Sequence, residues 1–159
     1  MSEIGLRTFC HISLHVNDME KSLHFYRDLL GLRVLFDVNL AGPGLESVTG
    51  IPGARGRMVG TVAPGGTMIE LVHGTRPGPQ RGDDDSLIFS LSVDSVDAAY
   101  DAFKAAGIVP LQQPADIDGT RMFFVQDPDG RRVEFVEYPA GAPRAAEMHG
   151  YRAPDPAEI

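Results

Sequence analysis

The chain is poor in several residue types, and each shortage narrows what it can be. Its 159 residues include one cysteine, Cys10, which excludes an internal disulfide framework and a zinc site built from thiolates. Only two lysines occur, Lys21 and Lys104, and the remaining cations are arginines scattered along the chain. With a net charge of −8 and a pI near 5.0, no nucleic-acid partner is expected, because duplex-binding surfaces group Lys and Arg against phosphates. No apolar run approaches the roughly 18 residues of a membrane helix, so no membrane partner is expected. The opening MSEIGLRTFC carries acidic Glu3 and no apolar core, which does not read as a secretory signal, and a cytoplasmic protein is the plain expectation. Phosphate-loop, Gly-x-Ser-x-Gly and His-Glu-x-x-His motifs are all missing.

The chain does have a globular composition, 43% hydrophobic and 23% charged, at the size of one ordinary domain. Its 18 glycines and 12 prolines interrupt it often enough to exclude long helices. It also has an internal repeat. Residues 11–31 read HISLHVNDMEKSLHFYRDLLG and residues 88–107 read IFSLSVDSVDAAYDAFKAAG. Each copy opens on alternation: Ile12, Leu14 and Val16 against His11, Ser13 and His15, then Phe89, Leu91 and Val93 against Ile88, Ser90 and Ser92. A period of two marks a strand with one face on a core. Asp18 and Ser95 are suited to cap the helices that follow, and Gly31 and Gly107 to end them.

The copies also end alike. Gly66–Pro77 (GTMIELVHGTRP) matches Gly130–Gly141 (GRRVEFVEYPAG), which sets Glu70 opposite Glu134 in strands of similar pattern. Pro64-Gly65-Gly66 and Asp127-Pro128-Asp129-Gly130 read as the hairpin turns before them. Arg57–Ala63 and Thr120–Gln126 supply the preceding strands, and Arg33–Val38 and Val109–Gln112 the ones before those. Each copy is therefore predicted as βαβββ: module one over 7–73, module two over 86–138, and a Gly/Pro/charge-rich linker over 74–85. Together they make one domain over 1–138, followed by a Pro/Ala-rich tail over 139–159 that is mobile or docked on a partner.

These features, the FYRDLLG helix and the DPDGRRVEF ending above all, resemble the vicinal oxygen chelate superfamily of glyoxalases, bleomycin resistance proteins and extradiol dioxygenases. The resemblance covers about Arg7–Tyr138. It implies an α+β fold of two tandem βαβββ modules forming a curved, mostly antiparallel sheet, with a concave active-site face and helices behind. A homodimer is a further expectation. Metal-using members place ligands on the first and last strand of each module. Carried over, these positions are His11 and Glu70, then Ile88 and Glu134. His11, Glu70 and Glu134 are thus implied ligands for a divalent ion (Ni, Zn, Mn, Co or Fe), with Ile88 as the departure that leaves the set incomplete or the ion absent. A buried glutamate needs a partner or a proton, so two carboxylates and an imidazole on one face point to a cation or to acid–base work.

Other residues follow by parity. His15, Ile88, Ser90, Arg132 and Tyr138 share the expected cavity face and are candidate substrate contacts, Arg132 for an anionic group. Ser13, Ser90 and Ser92 face the same way without an evident base. His73 has the opposite parity from Glu70 and is expected to point away; His24 lies on the flank of the first helix; Cys10 reads as core; and His149 lies in the tail. Arg57 and Arg121 carry no assignment. The leading functional expectation is a metal-dependent lyase or isomerase acting on a small oxygenated substrate through an enolate-type intermediate, with Glu134 or Glu70 moving the proton. The alternative is a non-catalytic protein that sequesters a drug or natural product. A dioxygenase is a third option, although dioxygenases of this fold need a second histidine at the position of Ile88.

Overall fold

The structure, a computed structural model, describes residues 11–74, 88–117 and 119–139. Cys10, His149, most of the expected linker and the tail from residue 140 lie outside the described residues. The chain divides into two compact units, with the boundary between Gly82 and Asp83.

The first unit runs β1 (His11–His15), α1 (Met19–Leu23), β2 (Arg33–Ala41), α2 (Pro43–Thr49), β3 (Arg55–Val62) and β4 (Met68–His73). Its four strands form one sheet in the order β1-β4-β3-β2. The β1–β4 pair is parallel and the other two pairs are antiparallel. Asp18 caps α1, its carboxylate accepting from the Lys21 N–H at 3.1 Å. The chain continues through His24–Leu29 as a π-helix. The consecutive residues Phe25 and Tyr26 in this segment both enter the core, where they are 3% and 0% exposed. They join Leu14, Leu23, Val59 and Leu71, and full burial of each such side chain is worth about 1.5–3 kcal/mol.

The second unit runs β5 (Phe89–Ser92), α3 (Val96–Ala105), β6 (Ala115–Ile117), β7 (Thr120–Gln126) and β8 (Arg132–Glu137). The sheet order is β5-β8-β7-β6, again with the outer β5–β8 pair parallel. Ser95 caps α3 through the Ala98 N–H. Phe103, Phe123 and Phe135 form the core beneath α3, with ring centroids 4.7 to 5.9 Å apart. The fold is α+β, built of two mixed four-stranded sheets, and neither sheet closes into a barrel among the described residues. None of the helices there is long and apolar enough to cross a membrane.

One expectation about an element needs correction, and one element was not expected. Val109–Gln112 is not a strand; the second strand of the module is β6, which begins at Ala115. Pro110 has no N–H to give, so only Leu111 reaches the sheet, donating to the Phe124 carbonyl at 2.8 Å, and pairing starts beyond Pro114. Residues 43–49 form a helix that the glycine-rich sequence did not announce, with Pro43 in its first turn and Gly50 closing it in the left-handed conformation.

Candidate functional site

Strand register settles which side chains share a face. Ser13 pairs with Glu70 across β1–β4, and Ser90 pairs with Glu134 across β5–β8. The two glutamates therefore hold equivalent places in the repeat, as do His11 and Ile88. Neighbours of the glutamates, Ile69 and Leu71 in one strand and Val133 and Phe135 in the other, are buried on the opposite, core side.

In the first unit three polar side chains meet. Ser13 Oγ donates to Glu70 Oε2 at 2.8 Å, and His11 Nε2 lies 3.3 Å from the same oxygen. The Glu70 side chain is 13% exposed and that of His11 34%, so the pair stands at the border of core and solvent. In the second unit Ser90 Oγ donates to Glu134 Oε2. Ile88 brings no donor and is 42% exposed one residue ahead of β5. Tyr138 shares the Glu134 face, and partial burial, followed by the negative charge of Glu134, pushes its phenol above the ordinary value of 10.0. Arg132 lies two residues before Glu134, with its guanidinium carbon 4.8 Å from the centre of the Phe124 ring. His15 is half-buried on the Ser13 side.

Among the described residues, His73 behaves as its parity predicts. His73 Nδ1 lies 3.0 Å from the Val16 carbonyl, away from Glu70, and His24 is an exposed residue 3.5 Å from Asp28. The structure does assign roles to the two arginines. Arg57 grips Asp37 with two bonds and Glu20 with a third, tying β3 to β2 and to the start of α1. Arg121 does the same for α3 through a two-bond pair with Asp97. Both belong to the scaffold, and register again makes them equivalent, since Arg57 pairs with His73 as Arg121 pairs with Glu137.

Sequence reasoning left the serines without partners; the structure bonds Ser13 and Ser90 to the glutamates. The parallel pairing of first and last strands carries that information, once the two copies are aligned. His11 and Glu70 offer one imidazole nitrogen and one carboxylate side by side, a donor pair that suits a divalent ion accepting mixed N/O ligands. No group of three or more His, Cys, Asp or Glu residues placed to hold a metal occurs among the described residues.

Comparison with known proteins extends this picture. A family model described as the Glyoxalase/Bleomycin resistance protein/Dioxygenase superfamily matches residues 8–135. The probable lactoylglutathione lyase of Vibrio cholerae is 26% identical over 138 residues, spanning 80% of this chain and 88% of that protein. The lactoylglutathione lyase of Haemophilus influenzae is 29% identical over 136 residues, spanning 80% and 90%. A solved glyoxalase family protein from Bacillus cereus shares the fold with a TM-score of 0.75 at 18% identity, covering 86% of this chain and 97% of that one.

Proposed function

The chain belongs to the Glyoxalase/Bleomycin resistance protein/Dioxygenase superfamily, and on that premise we propose that it is a lyase or isomerase that moves a proton on a small carbonyl substrate through an enolate-type intermediate. The observation that carries this reading is the His11–Glu70 contact, an imidazole and a carboxylate held 3.3 Å apart on adjacent strands. Relatives named lactoylglutathione lyase support the same class of chemistry.

In this reading His11 and Glu70 would hold a divalent ion within the first unit, and Glu134 of the second unit would act as the proton-moving carboxylate. Such an ion, when bound, supplies a Lewis acid that polarises the substrate carbonyl and stabilises negative charge on its oxygen. Ser90 occupies Oε2 of Glu134, so Oε1 is the atom left to take the proton beside the carbonyl and to return it. Ser13 holds Glu70 in the same way. On the Glu134 face Ile88, Tyr138 and Arg132 would contact substrate, Arg132 any anionic group, and His15 would do so on the Glu70 face.

Elemental analysis of protein purified without added metal tests the ligand set. The expected result is a bound divalent ion that His11→Ala loses. Conversion of a carbonyl substrate by protein free of metal would overturn it.

A second reading, a non-catalytic protein that sequesters a natural product, is favoured by one observation. Ile88, 42% exposed, stands at the position equivalent to His11. Its signature is tight, metal-independent binding of a compound that is later released unchanged.

A further inference from the structure

Gly60 and Phe124 are the residues directly across from the two glutamates, on β3 and β7. One has no side chain and the other has a phenyl ring, yet a ring is present in both places. In the first unit it comes from the next strand. Phe36 pairs with Gly60, and three of its ring carbons lie under 3.0 Å from where a Cβ at residue 60 would stand. The bulge between Val34 and Phe36 sets the register that permits this. Each glutamate is thus bracketed in its own sheet by a serine hydroxyl on the parallel side and a phenyl ring on the antiparallel side.

Core packing does not account for the rings. The core of the second unit is built by Phe123 and Val125, both 0% exposed, which alternate with Phe124 and face α3. Phe36 and Phe124 lie on the other face, half-buried beside a carboxylate, and the Arg132 guanidinium lies over the Phe124 ring. Two modules that reach the same arrangement by different residues indicate that the ring position itself matters.

We propose that Phe36 and Phe124 are specificity-determining residues, and that the substrate carries a flat unsaturated group, an aryl ring above all, next to its reacting carbonyl. The proposal rests on the reading of Glu70 and Glu134 as site residues. The guanidinium of Arg132 over Phe124 adds a positive edge suited to an aryl compound that also bears an acidic oxygen.

The test compares benzoylformate with pyruvate, two 2-oxo acids that differ only in a phenyl ring against a methyl group. Calorimetry on the full chain is expected to show benzoylformate bound about tenfold or more tighter, a margin in keeping with a filled apolar pocket. Phe124→Leu and Phe36→Leu should each reduce that preference to about threefold or less. Gly60→Ala, whose new methyl group displaces the Phe36 ring, should do the same while leaving Phe36 in place. Circular dichroism confirms which variants fold. Equal binding of the two acids, no binding of benzoylformate, or a preference that survives in the folded variants would overturn the proposal. Turnover of the glutathione adducts of phenylglyoxal and methylglyoxal is measured alongside. An aryl preference in binding with neither adduct turned over supports aryl selection and counts against the lyase reading alone.

Discussion

His11 stands 3.3 Å from Glu70, and the place equivalent to His11 in the second module is filled by Ile88. One module therefore offers an imidazole–carboxylate pair, and the other a carboxylate with a serine and an apolar neighbour. The difference is chemical, because the strand register on both sides is the same.

Ile88→His is accordingly expected to add a nitrogen donor beside Glu134. Binding of nickel or zinc should tighten by about tenfold or more, measured by calorimetry at fixed pH because ligand protonation contributes to the apparent affinity. Unchanged affinity in a folded variant would show that Ile88 does not occupy a ligand position.

Arg57→Ala should destabilise the first unit by about 0.5–1 kcal/mol near neutral pH, since its partners Asp37 and Glu20 are largely exposed and solvent screens the pairs. The bonds from Arg57 hold the Asp37 carboxyl below its ordinary value of 3.8. A carboxyl lowered in the folded state contributes stability above its unfolded pKa, and that contribution is lost as pH falls through the folded one. Chemical denaturation of wild type and variant should therefore differ at pH 7 and converge in acid below about pH 3.8. A gap that widens in acid would contradict the pairing.

Much of this organisation was readable from the residues. Alternation alone put His11 and Ser13 on one face and Leu14 on the other, and parity sent His73 away from Glu70. The caps Asp18 and Ser95 were visible because short polar side chains before an amphipathic run have few other uses. Three features were hidden by physics that a periodic pattern does not carry. The π-helix over His24–Leu29 continues what reads as a single α-helix, and its wider hydrogen-bonding pattern has no signature in the spacing of apolar residues. Pro110 interrupts what looked like an apolar strand. The Phe36–Gly60 contact depends on a bulge, and a bulge shifts faces without leaving a composition signal. The Ser–Glu bonds needed the pairing of first with last strands, a non-local fact.

Glu134→Gln should lower the ionisation pKa of Tyr138 toward its ordinary 10.0, because it removes a negative charge that opposes the phenolate while burial of the ring persists. The difference between ultraviolet titrations of variant and wild type isolates this tyrosine from the others. Coincident curves would separate Tyr138 from Glu134.

The proposed chemistry is proton transfer beside a carbonyl, assisted by an ion, and exchange of a substrate α-proton with deuterated solvent reads it directly. The substrates for the measurement are 2-oxoaldehyde–thiol adducts, 2-methyl acyl thioesters and aromatic ketones, followed by NMR. Exchange should occur with the protein as purified, stop on chelation, return when the metal is restored, and fall by about a hundredfold or more in Glu134→Gln, the usual scale for losing a positioned base. Exchange that persists unchanged through chelation and in Glu134→Gln, or tight binding of one of these compounds with no exchange at all, would contradict it.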